Sequence, residues 1–142
     1  WESPFNTQST SLFPKIKGMG YDLVEIPVED PELIDGEVIK KALKDNGLQA
    51  VVCGAFGPTK DLTHKDAAVH QNCFDYIEKC FELCNLWGVD FLAGPMYAAV
   101  GKARMLPKEE RQKEWDLAVT NIHKVCSMAK DQGLSIAFRE PA

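Results

Sequence analysis

The feature that most constrains this chain is a fourfold alternation of short apolar runs and long amphipathic stretches. The runs are Tyr21–Val28, Leu48–Phe56, Gly88–Pro95 and Gly133–Phe138, rich in Val, Ile, Leu and Phe. Between them, Ile34, Val38, Ile39, Ala42 and Leu43 recur at helical spacing. The same holds for Val69, Cys73, Ile77, Cys80, Phe81 and Cys84, and for Trp115, Val119, Ile122, Val125 and Ala129. A strand covered on both faces is apolar almost throughout, so the short runs read as strands of a parallel sheet. Strand, helix and parallel strand in succession make right-handed βαβ units. With a leading helix over Ser9–Lys17, which Pro14 places near its start, the order is α-β-α-β-α-β-α-β. Two closures fit that order: an open parallel α/β sheet, or part of a (β/α)8 TIM barrel, which ordinarily takes about 250 residues. At 142 residues the chain is long enough for one domain with a sizeable core.

Local signals place the boundaries. Asp30-Pro31-Glu32 supplies a capping carboxylate and a proline for the start of the second helix. Asn46-Gly47 ends that helix, and Gly133 ends the last one. Pro107-Lys108-Glu109-Glu110 opens the last helix, whose charged run to Lys113 reads as a solvated face. Trp87 and Trp115 are expected to pack between helices and sheet.

Composition excludes several function classes. A formal charge of −5 with a sequence pI of about 5.2 disfavours nucleic acid as a partner, because phosphate contacts need clustered Lys and Arg. No apolar run approaches the roughly 18–20 residues that span a bilayer, and no leader pattern opens the sequence. No membrane association is therefore expected. The five cysteines are odd in number and form no CxxC pair, and Cys73, Cys80 and Cys84 share one helical stripe. That predicts buried reduced thiols and a cytoplasmic protein. His64, His70 and His123 lie at no metal-ligand spacing and read as solvated or capping residues. No glycine-rich phosphate fingerprint follows any strand. The chain opens on Trp1 rather than Met, and both ends read as cut.

Three stretches carry a resemblance: Gly57-Pro58-Thr59-Lys60-Asp61-Leu62, Gly94-Pro95-Met96-Tyr97-Ala98-Ala99-Val100-Gly101 and Leu106-Pro107-Lys108-Glu109-Glu110-Arg111. In that order and spacing they resemble the D-tagatose/D-psicose (ketose) 3-epimerases, within the xylose isomerase-like sugar isomerase/epimerase barrels. Gly20-Tyr21-Asp22-Leu23-Val24-Glu25-Ile26 is similar to the second-strand pattern of that superfamily. The resemblance covers the whole chain and implies the end of barrel strand one through the end of strand five. It implies a metal-dependent isomerase acting on a ketose, interconverting fructose with psicose or tagatose with sorbose. The alternatives are another sugar or hydroxypyruvate-type isomerase of the superfamily, or a non-catalytic α/β binding module. A homo-oligomer is implied for the complete protein, while a chain carrying only part of the barrel exposes sheet edges and is expected to be inactive alone and either self-associating or poorly stable.

The family's fifth strand ends in a Glu that binds metal and serves as one of two acid/base groups. Glu140-Pro141 matches that pair, although counted from Gly133 the family Glu falls where Arg139 stands. Side chains alternate across a strand, so one residue of slip reverses the direction of aim unless a bulge restores it. The chemistry explains the residue types. Inverting C3 removes a proton beside the C2 carbonyl and returns one to the other face, so two carboxylates alternate as base and acid. The enediolate needs positive charge at its oxygens, for which Mn2+ or Mg2+ suits oxygen ligands with one imidazole. Glu140 is the expected catalytic and metal-binding residue of this chain. Trp1 and Phe56 resemble wall positions for the sugar, Gly94 and Pro95 would allow close backbone approach, and Tyr97 would add a wall or a hydrogen bond. Glu25 lies mid-strand opposite Val24 and Ile26 and is expected to face the barrel interior.

Overall fold

The computed structural model describes residues 3–138. Its order is α1 (Phe13–Gly18), β1 (Leu23–Val28), α2 (Gly36–Asn46), β2 (Gln49–Gly54), α3 (Ala67–Trp87), β3 (Phe91–Gly94), α4 (Lys108–Asp131) and β4 (Ser135–Phe138). The four strands form one parallel sheet in the order β1-β2-β3-β4. Sequential order without reversal is the pattern of a barrel wall, whereas a doubly wound sheet turns back at a switch point. The fold is a partial (β/α)8 barrel, and the open-sheet alternative falls.

Register shows which face does what. Ile26, Val52, Leu92 and Ile136 pair in one row, and the first three are fully buried. They pack with Ile39 and Leu43 of α2 and with Ile77, Cys80, Phe81 and Cys84 of α3 in a single core. The next row is Pro27, Cys53, Ala93 and Ala137, small side chains on the opposite face, where a barrel has its interior. Glu25, two residues before Pro27, shares that inner face and is exposed.

Helix termini follow elementary rules. Asp35 caps α2 by accepting from Glu37 and Val38 amides, and Asp66 caps α3 through Ala68. Gly47 and Gly88 close these helices at φ +59° and +69°, a left-handed conformation that glycine adopts without a Cβ penalty.

Several expectations are corrected. Asp30-Pro31 opens a short 3-10 turn, Pro31–Leu33, because Ile34 is extended and the α-helix waits for Asp35. The Ser9–Lys17 helix is divided into a 3-10 helix over Thr7–Leu12 and α1, with Pro14 in the first turn of α1. Val38 is exposed on α2. Trp115, 66% exposed, and Val119 stand outside the core, which α4 meets through Ala118, Asn121, Val125 and Ala129. The helical stripe was therefore placed one position off at its N-terminal half. Trp87 does pack between elements, and its indole N–H donates to the Gly36 carbonyl at 2.9 Å.

Candidate active site

The C-terminal ends of the strands, Val28, Gly54, Gly94 and Phe138, form one rim, and the loops that follow β1, β2 and β3 gather on it. In barrels of this kind that rim carries the chemistry. Its first joint is Tyr76 of α3. The phenol donates to the Val28 carbonyl at 2.5 Å and accepts from the Ala55 amide at 2.6 Å, so one side chain joins the ends of β1 and β2. Burial holds the phenol far above its ordinary pKa, which keeps the O–H intact.

Phe56 meets the Tyr76 ring edge-on with centroids 5.6 Å apart, and it is 2% exposed. Its ring lies over two glycines. A Cβ built on Gly54 would stand 2.7 Å from Phe56 Cε2, and one on Gly94 would stand 2.8 Å from that atom and 2.9 Å from the Gly54 carbonyl oxygen. Gly94 also has φ +149°, which disfavours any side chain. Both glycines thus make room for Phe56, whose carbonyl accepts from the Val100 amide at 2.8 Å. Phe56 is buried at the rim by these contacts. Pro95 is half-buried beside Gly94. Tyr97, also half-buried, lines a groove of about 680 Å³ with Arg111, Glu114, Trp115, Val119 and Phe138. Trp1 and Glu140 lie outside the described residues.

A second joint ties the β2 loop to the β3 loop. Asp61, 2% exposed, accepts from the Thr63 amide at 2.8 Å and the Thr63 hydroxyl at 2.7 Å. Lys102 then donates to Asp61 Oδ2 at 2.9 Å, to Thr63 Oγ1 at 2.5 Å and to the Thr63 carbonyl at 3.1 Å. Burial raises the Asp61 carboxyl, but the Lys102 and Thr63 hydrogen bonds outweigh it and hold the group below its ordinary range. Asn121 of α4 donates to the Leu62 carbonyl at 2.6 Å, fixing the same loop from outside. Glu29, directly after β1, accepts from Ser3 Oγ at 2.5 Å and the Phe5 amide at 3.0 Å, which draws the N-terminal segment across the rim. Lys60 donates to the Glu29 carbonyl at 2.8 Å and sits 4.0 Å from the Tyr76 ring centroid, and burial lowers its pKa.

Sequence reasoning missed Tyr76, Asp61, Thr63 and Lys102. Tyr76 falls three residues after Cys73, on the same stripe, so spacing alone would have placed it in the core. The Asp-x-Thr turn was visible, but its partner Lys102 lies 41 residues away.

Among the described residues no buried side-chain polar atom lacks a hydrogen-bond partner, and no three His, Cys, Asp or Glu side chains converge as metal ligands would. No described helix is long and apolar enough to cross a membrane.

This partial barrel, with the strand ends gathered on one rim, defines a class. Residues 13–140 match the model of the xylose isomerase-like TIM barrel, and the chain belongs to that family. Its relatives include the L-ribulose 3-epimerase of Methylomonas sp., 26% identical over 117 residues, covering 82% of this chain and 40% of the relative. The ketose 3-epimerase of Arthrobacter globiformis is 28% identical over 103 residues, covering 72% and 36%. Among solved structures, the D-allulose 3-epimerase of Methylomonas sp. in complex with D-allulose superposes with a TM-score of 0.83 at 23% identity, over 97% of this chain and 47% of that one. The chain thus spans under half the length of these relatives.

Proposed function

We propose that this chain is the portion of a ketose 3-epimerase that runs from the end of barrel strand one to the end of strand five. The observation that carries the reading is the pairing of a sequential parallel barrel wall with relatives named as 3-epimerases of ketoses. The described residues have a clear task in such an enzyme. Tyr76, Phe56 and the Asp61–Lys102 pair hold the rim loops in place, and Tyr97 offers an aromatic edge to the sugar. Glu140, two residues past the end of β4 in sequence, is the proposed acid/base group, and its partner carboxylate would come from outside this chain. A carboxylate here would take the C3 proton on one face of the sugar while its partner returns one on the other. A divalent cation, Mn2+ or Mg2+, would supply charge for the enediolate oxygens, with Glu140 as this chain's ligand. A homo-oligomer belongs to the same reading.

The test is proton exchange in the full-length protein. Wild type should exchange the C3 hydrogen of fructose or tagatose with deuterium from solvent. Glu140→Gln should lose that exchange by about a hundredfold or more. Full exchange in the variant would remove Glu140 from the mechanism. Absence of C3 exchange in wild type across ketoses would leave the alternatives of another isomerase or a binding module.

A further inference from the structure

Beside the rim lies a groove of about 650 Å³ whose walls come from two consecutive βα units, both within the described residues. It is lined by Thr63, His64 and Lys65 before α3, by Lys102 and Arg104 of the loop after β3, and by Glu110, Lys113 and Glu114 of α4. Its charge does not follow the rest of the chain, which carries −5 overall. Lys102 pairs with Asp61 at 2.9 Å and lies 3.6 Å from Glu114, and Glu114 also pairs with Arg104. Those two cations and two carboxylates cancel. Lys65, before α3, and Lys113, on α4, remain, with no ion pair among the described residues and only Glu110 among the lining residues to offset them. His64 adds a ring whose Nδ1 is occupied by the Asp66 amide at 3.0 Å, which leaves Nε2 as its other polar edge.

We propose that this groove binds the phosphate group of a small phosphorylated ligand. A tetrahedral dianion accepts from donors on several sides at once, which suits lysines supplied by two separate elements, whereas a planar carboxylate is satisfied from its own plane. The volume suits a small molecule, and the acidic chain as a whole disfavours a polyanion. Thr63 and Glu114 line both this groove and the one that Tyr97 lines, which sets the anion site beside the proposed sugar site, so the ligand fits a sugar phosphate. In that respect the proposal rests on the function proposed above and narrows its substrate class. The anion site itself does not depend on any reaction.

Equilibrium binding tests it, using the full chain at low ionic strength with inorganic phosphate, fructose 6-phosphate and fructose as probes, followed by amide chemical shifts. Phosphate should bind saturably and shift amides around Thr63–Lys65 and Lys113. The Lys65→Gln/Lys113→Gln double variant should bind it about tenfold more weakly or worse, because two charged donors are lost. Both lysines are exposed, so the variant should fold, and Lys15→Gln on α1 serves as a charge-matched surface control with unchanged affinity. Fructose 6-phosphate binding tighter than phosphate, with fructose silent at these amides, identifies a sugar phosphate as the ligand. Equal affinity identifies the free anion. Absent or non-saturable phosphate binding, or affinity unchanged in the double variant, overturns the proposal. The readout needs no turnover, so it can fail while epimerisation stands, and C3 exchange can fail while the anion still binds.

Discussion

Replacing Tyr76 by Phe tests whether one phenol joins the ends of β1 and β2. The substitution keeps the ring, and with it the edge-on contact to Phe56 at 5.6 Å. It removes only the oxygen that donates to Val28 at 2.5 Å and accepts from Ala55 at 2.6 Å. A buried amide left without an acceptor costs about 1–3 kcal/mol, and a carbonyl stripped of one bond about 1 kcal/mol. The expected loss is therefore about 2–4 kcal/mol. At this size each kcal/mol lowers Tm by about 3–5 °C, so Tyr76→Phe should melt about 8–15 °C earlier than wild type. Urea titration followed by circular dichroism measures the same quantity, with an unchanged m-value if both states keep their compactness. Tyr21→Phe, at a residue 61% exposed, is the matched control and should change little. A loss in Tyr76→Phe below about 0.5 kcal/mol would refute the reasoning, because water would then be replacing the hydroxyl at the joint.

Gly94→Ala forces a Cβ against Phe56 and the Gly54 carbonyl at a φ of +149°, and should destabilise by about 2–4 kcal/mol in the same titration. Wild-type stability in that variant would show that Phe56 moves freely. Lys102→Met leaves the buried Asp61 carboxylate uncompensated and should cost about 3 kcal/mol, with Asp61→Asn/Lys102→Met closer to wild type. Because Asp61 is held below its ordinary value of 3.8, its contribution is present above that pH and lost as pH falls through the lower folded value. The stability gap between wild type and Lys102→Met should accordingly be widest near neutral pH and narrow as pH falls through the folded Asp61 value, and a gap independent of pH would count against the pair. Burial pushes the Cys73, Cys80 and Cys84 thiols up to about 12, and Cys53 is buried as well, so of five cysteines only Cys126 should react with a thiol reagent at pH 8. Three or more fast-reacting thiols would contradict the packing.

What the residues disclosed, and what they withheld, follows their range of interaction. The strand runs were legible because register and burial depend on local apolar content, as at Ile26, Val52 and Leu92. The helix end at Asn46-Gly47 was legible because a left-handed glycine is a local requirement. Trp115 was misplaced because apolarity alone cannot show where a helix turns away from a sheet, and α4 meets the core through Ala118 and Asn121 instead. Asn121 is polar and buried only because the Leu62 carbonyl, 59 residues earlier, needs a donor. The rim joints were hidden for the same reason: Tyr76 answers to Val28, 48 residues away, and Lys102 to Asp61. The place of Phe56 after the strand was visible in the sequence, while the two glycines beneath its ring showed their purpose only in three dimensions.

The bolting of the β2 loop by Asp61, Lys102 and Asn121 has a consequence for how such a rim would meet a guest. A segment already immobilised by buried bonds has little conformational freedom left to surrender, so docking there proceeds as rigid complementarity rather than adaptive folding. Association would then be fast and its heat-capacity change would track only the surface covered. Discrimination would come from shape mismatch rather than from the cost of rearranging the host.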